Sequence, residues 1–180
     1  NDGNTEAFEN NSVAYDTSIE IEGSKFNRQA MYDIVKKDDG TGGSPSEKPE
    51  NNREYGGYIK DGKVEEISQG PIGIITKTSA DALITFPNAS NGCSSFHSHP
   101  SGSEWFREYN EHKRCHVEWE LSYNQKPSRS NGKGFLGDIN LSAPGITNYV
   151  FGRRDGVVYV YNKEGIQAVI SDLFFVELKK

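Results

Sequence analysis

Apolar positions along this chain come in short bursts, and their spacing changes from segment to segment. From Lys25 to Lys37, the residues Phe26, Ala30, Met31, Ile34 and Val35 recur near every 3.6 positions. That period predicts an amphipathic helix with Ser24 as its N-cap and lysines at its C-terminal end. Residues 38–52 are rich in Gly, Ser, Pro, Glu and Asp and read as an exposed loop. Residues 53–60 read as a strand, turned by the hairpin signal Asp61-Gly62 into 63–69 and broken at Gly70-Pro71. A short helical turn is expected over 79–83. A small-residue strand is expected over 92–97, ending at His97-Ser98-His99-Pro100.

From Ser101 to Lys126 the chain is polar, with scattered aromatics and no clean period, and Pro127 to Gly137 is turn-rich. The last third is clearer. Residues 147–152 and 157–161 are β-rich and joined by Arg153-Arg154-Asp155-Gly156, again a hairpin. Residues 165–172 suggest a short helix, and 173–178 a closing strand or helix tail. The sum is a mixed α+β domain over 24–180, preceded by a polar N-terminal segment, 1–23.

A length of 180 residues fits one domain. The mean hydropathy of -0.75 requires a compact core, while an aromatic content of 11% argues against disorder. No apolar run approaches the ~20 residues of a membrane-spanning helix. A net charge of -6 disfavours a nucleic-acid partner, because the dense basic points, Lys113-Arg114 and Arg153-Arg154, are flanked by acids. Cys93 and Cys115 allow one disulfide or two thiols and leave the compartment open. The polar, acidic start is compatible with a bacterial exported protein whose targeting segment has been removed.

His97 and His99 carry the first chemical signal. In an H-x-H pair at a strand end both imidazoles project to one side, because strand side chains alternate. They form half of a zinc site or a pair of surface histidines at a loop mouth. A catalytic zinc needs a third ligand, an open water position and a base that reaches the water. Glu54, just before Gly56-Gly57, is either that base or a solvated strand-edge glutamate beside a bulge. His112 and His116 would share one face of a helix, but Lys113 stands where a zinc peptidase of H-E-x-x-H type needs glutamate, so they read as a solvated face. Trp105, Phe106, Tyr109, Trp119 and Tyr123 read as a small core within their segment or the wall of a substrate groove.

Glu54-Tyr-Gly-Gly-Tyr-Ile59 followed by Cys93-Ser-Ser-Phe-His97-Ser-His99-Pro100 resembles the JAMM (JAB/MPN-type) metalloprotease superfamily. Phe135-Leu-Gly-Asp138-Ile139 and the hairpin that follows are similar to the third-ligand segment of a poorly characterised bacterial branch. The resemblance covers about residues 53–162. It implies a JAMM/cytidine-deaminase-like mixed sheet flanked by helices, with a large insertion (about 101–134) after the His-Ser-His-Pro turn. It also implies a Zn2+ held by His97, His99 and Asp138, Glu54 as general acid/base, and a peptide or isopeptide amide in a peptide or protein substrate. Two departures stand out. The compact family pattern would place the aspartate near Glu111, and the serine expected three residues before Asp138 is Phe135. A register through Ser128 and Asn131 has the serine but lacks the carboxylate, so the oxyanion partner is open between Ser128 and Ser130. The resemblance equally admits a binding module that does not turn over substrate.

Overall fold

The computed structural model of the protein describes residues 25–39, 48–87, 93–130 and 137–177. Ser24, the segment 1–23, most of the 38–52 loop and residues 131–136, Phe135 among them, lie outside the described residues. A six-stranded mixed sheet organises the molecule. Its strands are β1 (Gly56–Lys60), β2 (Lys63–Glu66), β5 (Ser94–His99), β8 (Asn148–Gly152), β9 (Val157–Asn162) and β10 (Gly165–Ser171), in the order β10-β9-β8-β5-β1-β2. Neighbours are antiparallel except β5 and β8, which run parallel. Two small ribbons stand apart from it: β3 (Ile74–Ile75) with β4 (Ala80–Asp81), and β6 (Ser103–Asn110) with β7 (Cys115–Ser122).

Alternation sorts the central strands into two faces. Phe96, Tyr149, Phe151, Val158 and Val160 point to one side, where Met31 and Val35 of α1 (Lys25–Val35) and Phe175 of α3 (Asp172–Glu177) cover them. Arg28, 1% exposed, ties the two helices together by donating from Nε to the Phe175 carbonyl at 2.9 Å. The opposite face carries Ser95, His97 and His99 of β5, with Val150, Tyr159 and Tyr161 beside them. There Ile139 of a one-turn helix, α2 (Asp138–Leu141), packs on Val150, Tyr159 and Tyr161. The expected mixed α+β class holds, but the two longer helices cover one face only.

Several expectations are corrected. Phe26 is 81% exposed, because the buried face of α1 is rotated toward Asn27, Arg28, Met31 and Val35. Residues 165–171 form strand β10 rather than a helix: they extend the hairpin begun by β8 and β9, and their outward face is solvated. The chain after them forms α3. The 79–83 turn is half of the β3–β4 ribbon. Gly56 and Gly57 sit in regular register without a bulge, opposite His97 and Glu66. Asp38, expected in an exposed loop, is 1% exposed and accepts hydrogen bonds from the backbone N–H of Ser101 at 3.0 Å and from its hydroxyl.

The stretch expected to be an irregular insertion contains the β6–β7 ribbon. Phe106 and Trp119 stack across it with ring centroids 5.9 Å apart, and Trp119 Nε1 donates to the Lys77 carbonyl. These two form a small aromatic seam, while Trp105 and Tyr109 stay more than half exposed. Cys93 and Cys115 are not joined by a disulfide. Among the described residues, no helix is long and apolar enough to cross a membrane.

Candidate metal centre

Register places the first histidine. β5 is held between β1 and β8, with His97 opposite Gly56 on one side and Val150 on the other. Gly56 is required there: a Cβ at that position would come within 2.2 Å of the Phe96 carbonyl oxygen and 2.8 Å of His97 Cβ. His97 is 2% exposed and His99 7%. The edge of the Phe86 ring lies against the His97 ring with centroids 5.8 Å apart. These are not histidines at a loop mouth.

The two Nε2 atoms face each other at 3.2 Å. His99 Nδ1 donates to the Asn124 carbonyl at 2.7 Å, which leaves its Nε2 with a lone pair directed into the cluster. His97 Nδ1 has no hydrogen-bond partner among the described residues, so this ring is oriented by its Nε2 contacts with His99 and Asp138, by packing and by strand register.

Asp138 reaches the same point from α2. Its Oδ1 lies 3.3 Å from His97 Nε2 and its Oδ2 3.6 Å from His99 Nε2. Ser128 holds it there, donating from its backbone N–H at 2.7 Å and its hydroxyl at 2.8 Å to Oδ2, and accepting from the Asp138 N–H at 3.0 Å. Ser142 Oγ donates to the Asp138 carbonyl and in turn accepts from Asn148 Nδ2. Asn148 Oδ1 receives both the backbone N–H and the hydroxyl of Ser95. Hydrogen bonds thus connect the Asp138 backbone to the strand that carries the histidines. The Asp138 carboxyl is pushed up by burial, but the charges and hydrogen bonds of His97 and His99 outweigh this and hold it well below the usual carboxylate range.

Glu54 completes the group from the other side. It precedes β1, where Tyr55 is clamped by Ser98: Tyr55 N–H donates to Ser98 Oγ at 3.0 Å, and Ser98 N–H donates to the Tyr55 carbonyl at 2.8 Å. Glu54 is 7% exposed, not solvated, and its Oε1 lies 3.9 Å from His99 Nε2. Burial raises its pKa to about 7; His99 and a hydrogen bond from the Ile84 backbone oppose the rise, and the charges of Asp138 and Asp38 add to it. One donor atom each from Glu54, His97 and His99 lies within 4.8 Å of the other two, so these three alone already form a buried group able to hold a metal ion.

The donor types and their spacing suit a tetrahedral metal site. At ~2.0–2.1 Å per bond, the edges of a tetrahedral zinc site are about 3.3–3.4 Å long. The 3.2 Å between the histidine nitrogens and the 3.3 Å from His97 to Asp138 are close to such edges, and the 3.6 Å from His99 to Asp138 is longer. The remaining candidates do not join the cluster. His112 and Glu111 sit in the exposed turn of the β6–β7 ribbon. His116 lies on β7 against Tyr109 with ring centroids 5.3 Å apart, so the two histidines share no helix. The Ser128 hydroxyl is committed to Asp138, and the Ser130 backbone N–H donates to Asn140 Oδ1.

Asn124, Ser128, Ser95 and Asn148 are supporting residues that sequence reasoning did not assign to these roles. Asn124 acts through a backbone carbonyl, which leaves no signature in a residue pattern. No family model, curated protein or solved structure matches the chain.

Proposed function

We propose that this chain is a zinc-dependent hydrolase of peptide or isopeptide amide bonds, JAMM-like in the arrangement of its site. The observation that carries the reading is the buried convergence of His97, His99, Asp138 and Glu54, with 3.2 Å between the histidine nitrogens and 3.3, 3.6 and 3.9 Å from them to the carboxylate oxygens. His97, His99 and Asp138 are the ligands. Glu54, whose Oε1 lies 3.9 Å from His99 Nε2, is assigned here as the base that contacts the water.

Zinc, when bound, polarises the amide carbonyl and lowers the pKa of water to roughly 7. Glu54 takes a proton from the attacking water and delivers it to the leaving nitrogen. A carboxyl whose pKa is raised to about 7 is suited to both steps near neutral pH. The Asn124 carbonyl keeps the His99 Nε2 lone pair available, and Ser128 keeps Asp138 oriented.

The test pairs metal content with turnover. Wild type should hold about one zinc per chain, His97→Ala and Asp138→Ala should lose it, and Glu54→Gln should keep zinc while losing hydrolysis of peptide substrates. Absence of zinc from wild type after reloading would remove the hydrolase reading. A second reading, a zinc-holding binding module, is favoured by the commitment of the Ser128 hydroxyl to Asp138, which removes one of the two candidate oxyanion donors. Retained zinc with no turnover of any peptide or isopeptide would select it.

A further inference from the structure

A groove of about 470 Å³ opens beside the cluster, walled by Lys126, Pro127, Arg129, Ile139 and Ile166. It falls within the ~300–1,000 Å³ range of small-ligand sites. The backbone that lines it also builds the metal centre: Asn124 accepts from His99, Ser128 grips Asp138, and Ile139 follows Asp138 in α2. A molecule in the groove therefore lies next to the residues that would do the chemistry.

Its charge is opposite to that of the chain. The whole sequence carries -6, yet the charged residues lining the groove, among those described, are Lys126 and Arg129. Neither is in an ion pair among the described residues. Arg129 reaches only a backbone carbonyl, that of Glu164, at 3.5 Å. Pro127, Ile139 and Ile166 add apolar lining to the same groove.

We propose that this groove receives acidic side chains of an extended peptide substrate, next to the amide to be cut. The proposal rests on the hydrolase reading above and supplies its substrate class. Carboxylates would pair with Lys126 and Arg129 while their methylene stems lie on the apolar wall.

The test measures binding apart from turnover. Zinc-loaded Glu54→Gln protein is titrated with three matched, C-terminally amidated peptides that carry acidic, neutral or basic residues. The acidic peptide should bind about tenfold more tightly than the neutral one, roughly threefold per cation, as exposed charge pairs give. That preference should shrink with added salt. Adding Lys126→Glu and Arg129→Glu should reverse it in favour of the basic peptide, with zinc content unchanged. Equal affinity for all three peptides, or a preference that survives the charge reversals, overturns the proposal. An acidic preference that follows both reversals, in a protein whose wild type cleaves nothing, upholds the groove and refutes only the hydrolase reading.

Discussion

Glu54 is a carboxyl buried beside a second carboxyl, and in the metal-free protein that placement has a cost that depends on pH. Its ordinary pKa of 4.5 rises to about 7 in the folded chain, chiefly by desolvation. Below 4.5 the group is protonated in both folded and unfolded states and contributes nothing. Between 4.5 and 7 the folded state binds more protons than the unfolded one, so stability falls as pH rises. Above 7 the group is ionised in both states and the full cost is present. At ~1.4 kcal/mol per pKa unit, this amounts to about 3 kcal/mol. Glu54→Gln keeps the shape and removes the charge. Urea unfolding of chelator-treated wild type and variant, at intervals from pH 4 to 8.5, reads the difference between them. The curves should nearly meet at the acidic end, and the variant should be about 3 kcal/mol more stable at pH 8.5. Two curves that stay parallel across that range would refute the argument that burial governs this carboxyl.

Other outcomes follow from the same contacts. Gly56→Ala drives a methyl group into the Phe96 carbonyl and His97; calorimetric melting should show about 1–3 kcal/mol of destabilisation, and zinc affinity should fall as β1 and β5 separate. Ser128→Ala removes the hydroxyl that both donates to and accepts from Asp138; competition with a chromophoric chelator should show zinc bound roughly 10–100-fold more weakly. Asp38→Ala leaves the Ser101 N–H buried without its acceptor directly after the His-Ser-His-Pro turn; denaturant unfolding should register a loss of about 1.5–3 kcal/mol. Removing zinc from the loaded protein should lower its melting temperature, by an amount that grows with the free zinc present beforehand.

The parts of the molecule legible in the sequence are those where one local rule decides. The Asp61-Gly62 turn has both residues at positive φ, as the hairpin signal requires. The β8–β9 pair is dense in β-branched and aromatic residues and carries the same strand assignment in the structure. His97 and His99 share a face because strand periodicity leaves no other choice. Where long-range pairing decides, local pattern fails. Strand β10 carries apolar Ile166 and Val169 at exposed positions, which blurs its alternation, so its residues read as helix until β9 is there to pair with them. The ribbon strands β6 and β7 are solvated along much of their length, so no burial period marks them. Glu54 reads as a surface residue from its neighbours alone. The groups it meets in the fold, Ile84, His99 and Asp138, lie far along the chain.

The single parallel pairing in the sheet also bears on how the protein matures. Tyr55 meets Ser98 across 43 positions of sequence, and Ser95 meets Asn148 across 53, so the donors of the cluster come together only after large loops have closed. Chains dominated by such distant pairings fold slowly, in milliseconds to seconds. No short peptide from this sequence carries more than two of the cluster's residues, the His-x-His pair. Capture of an ion by the proposed site therefore waits for the sheet. Addition of zinc to refolding protein should leave the folding rate almost unchanged and act on the unfolding rate, so that the ion locks a finished structure and does not nucleate one.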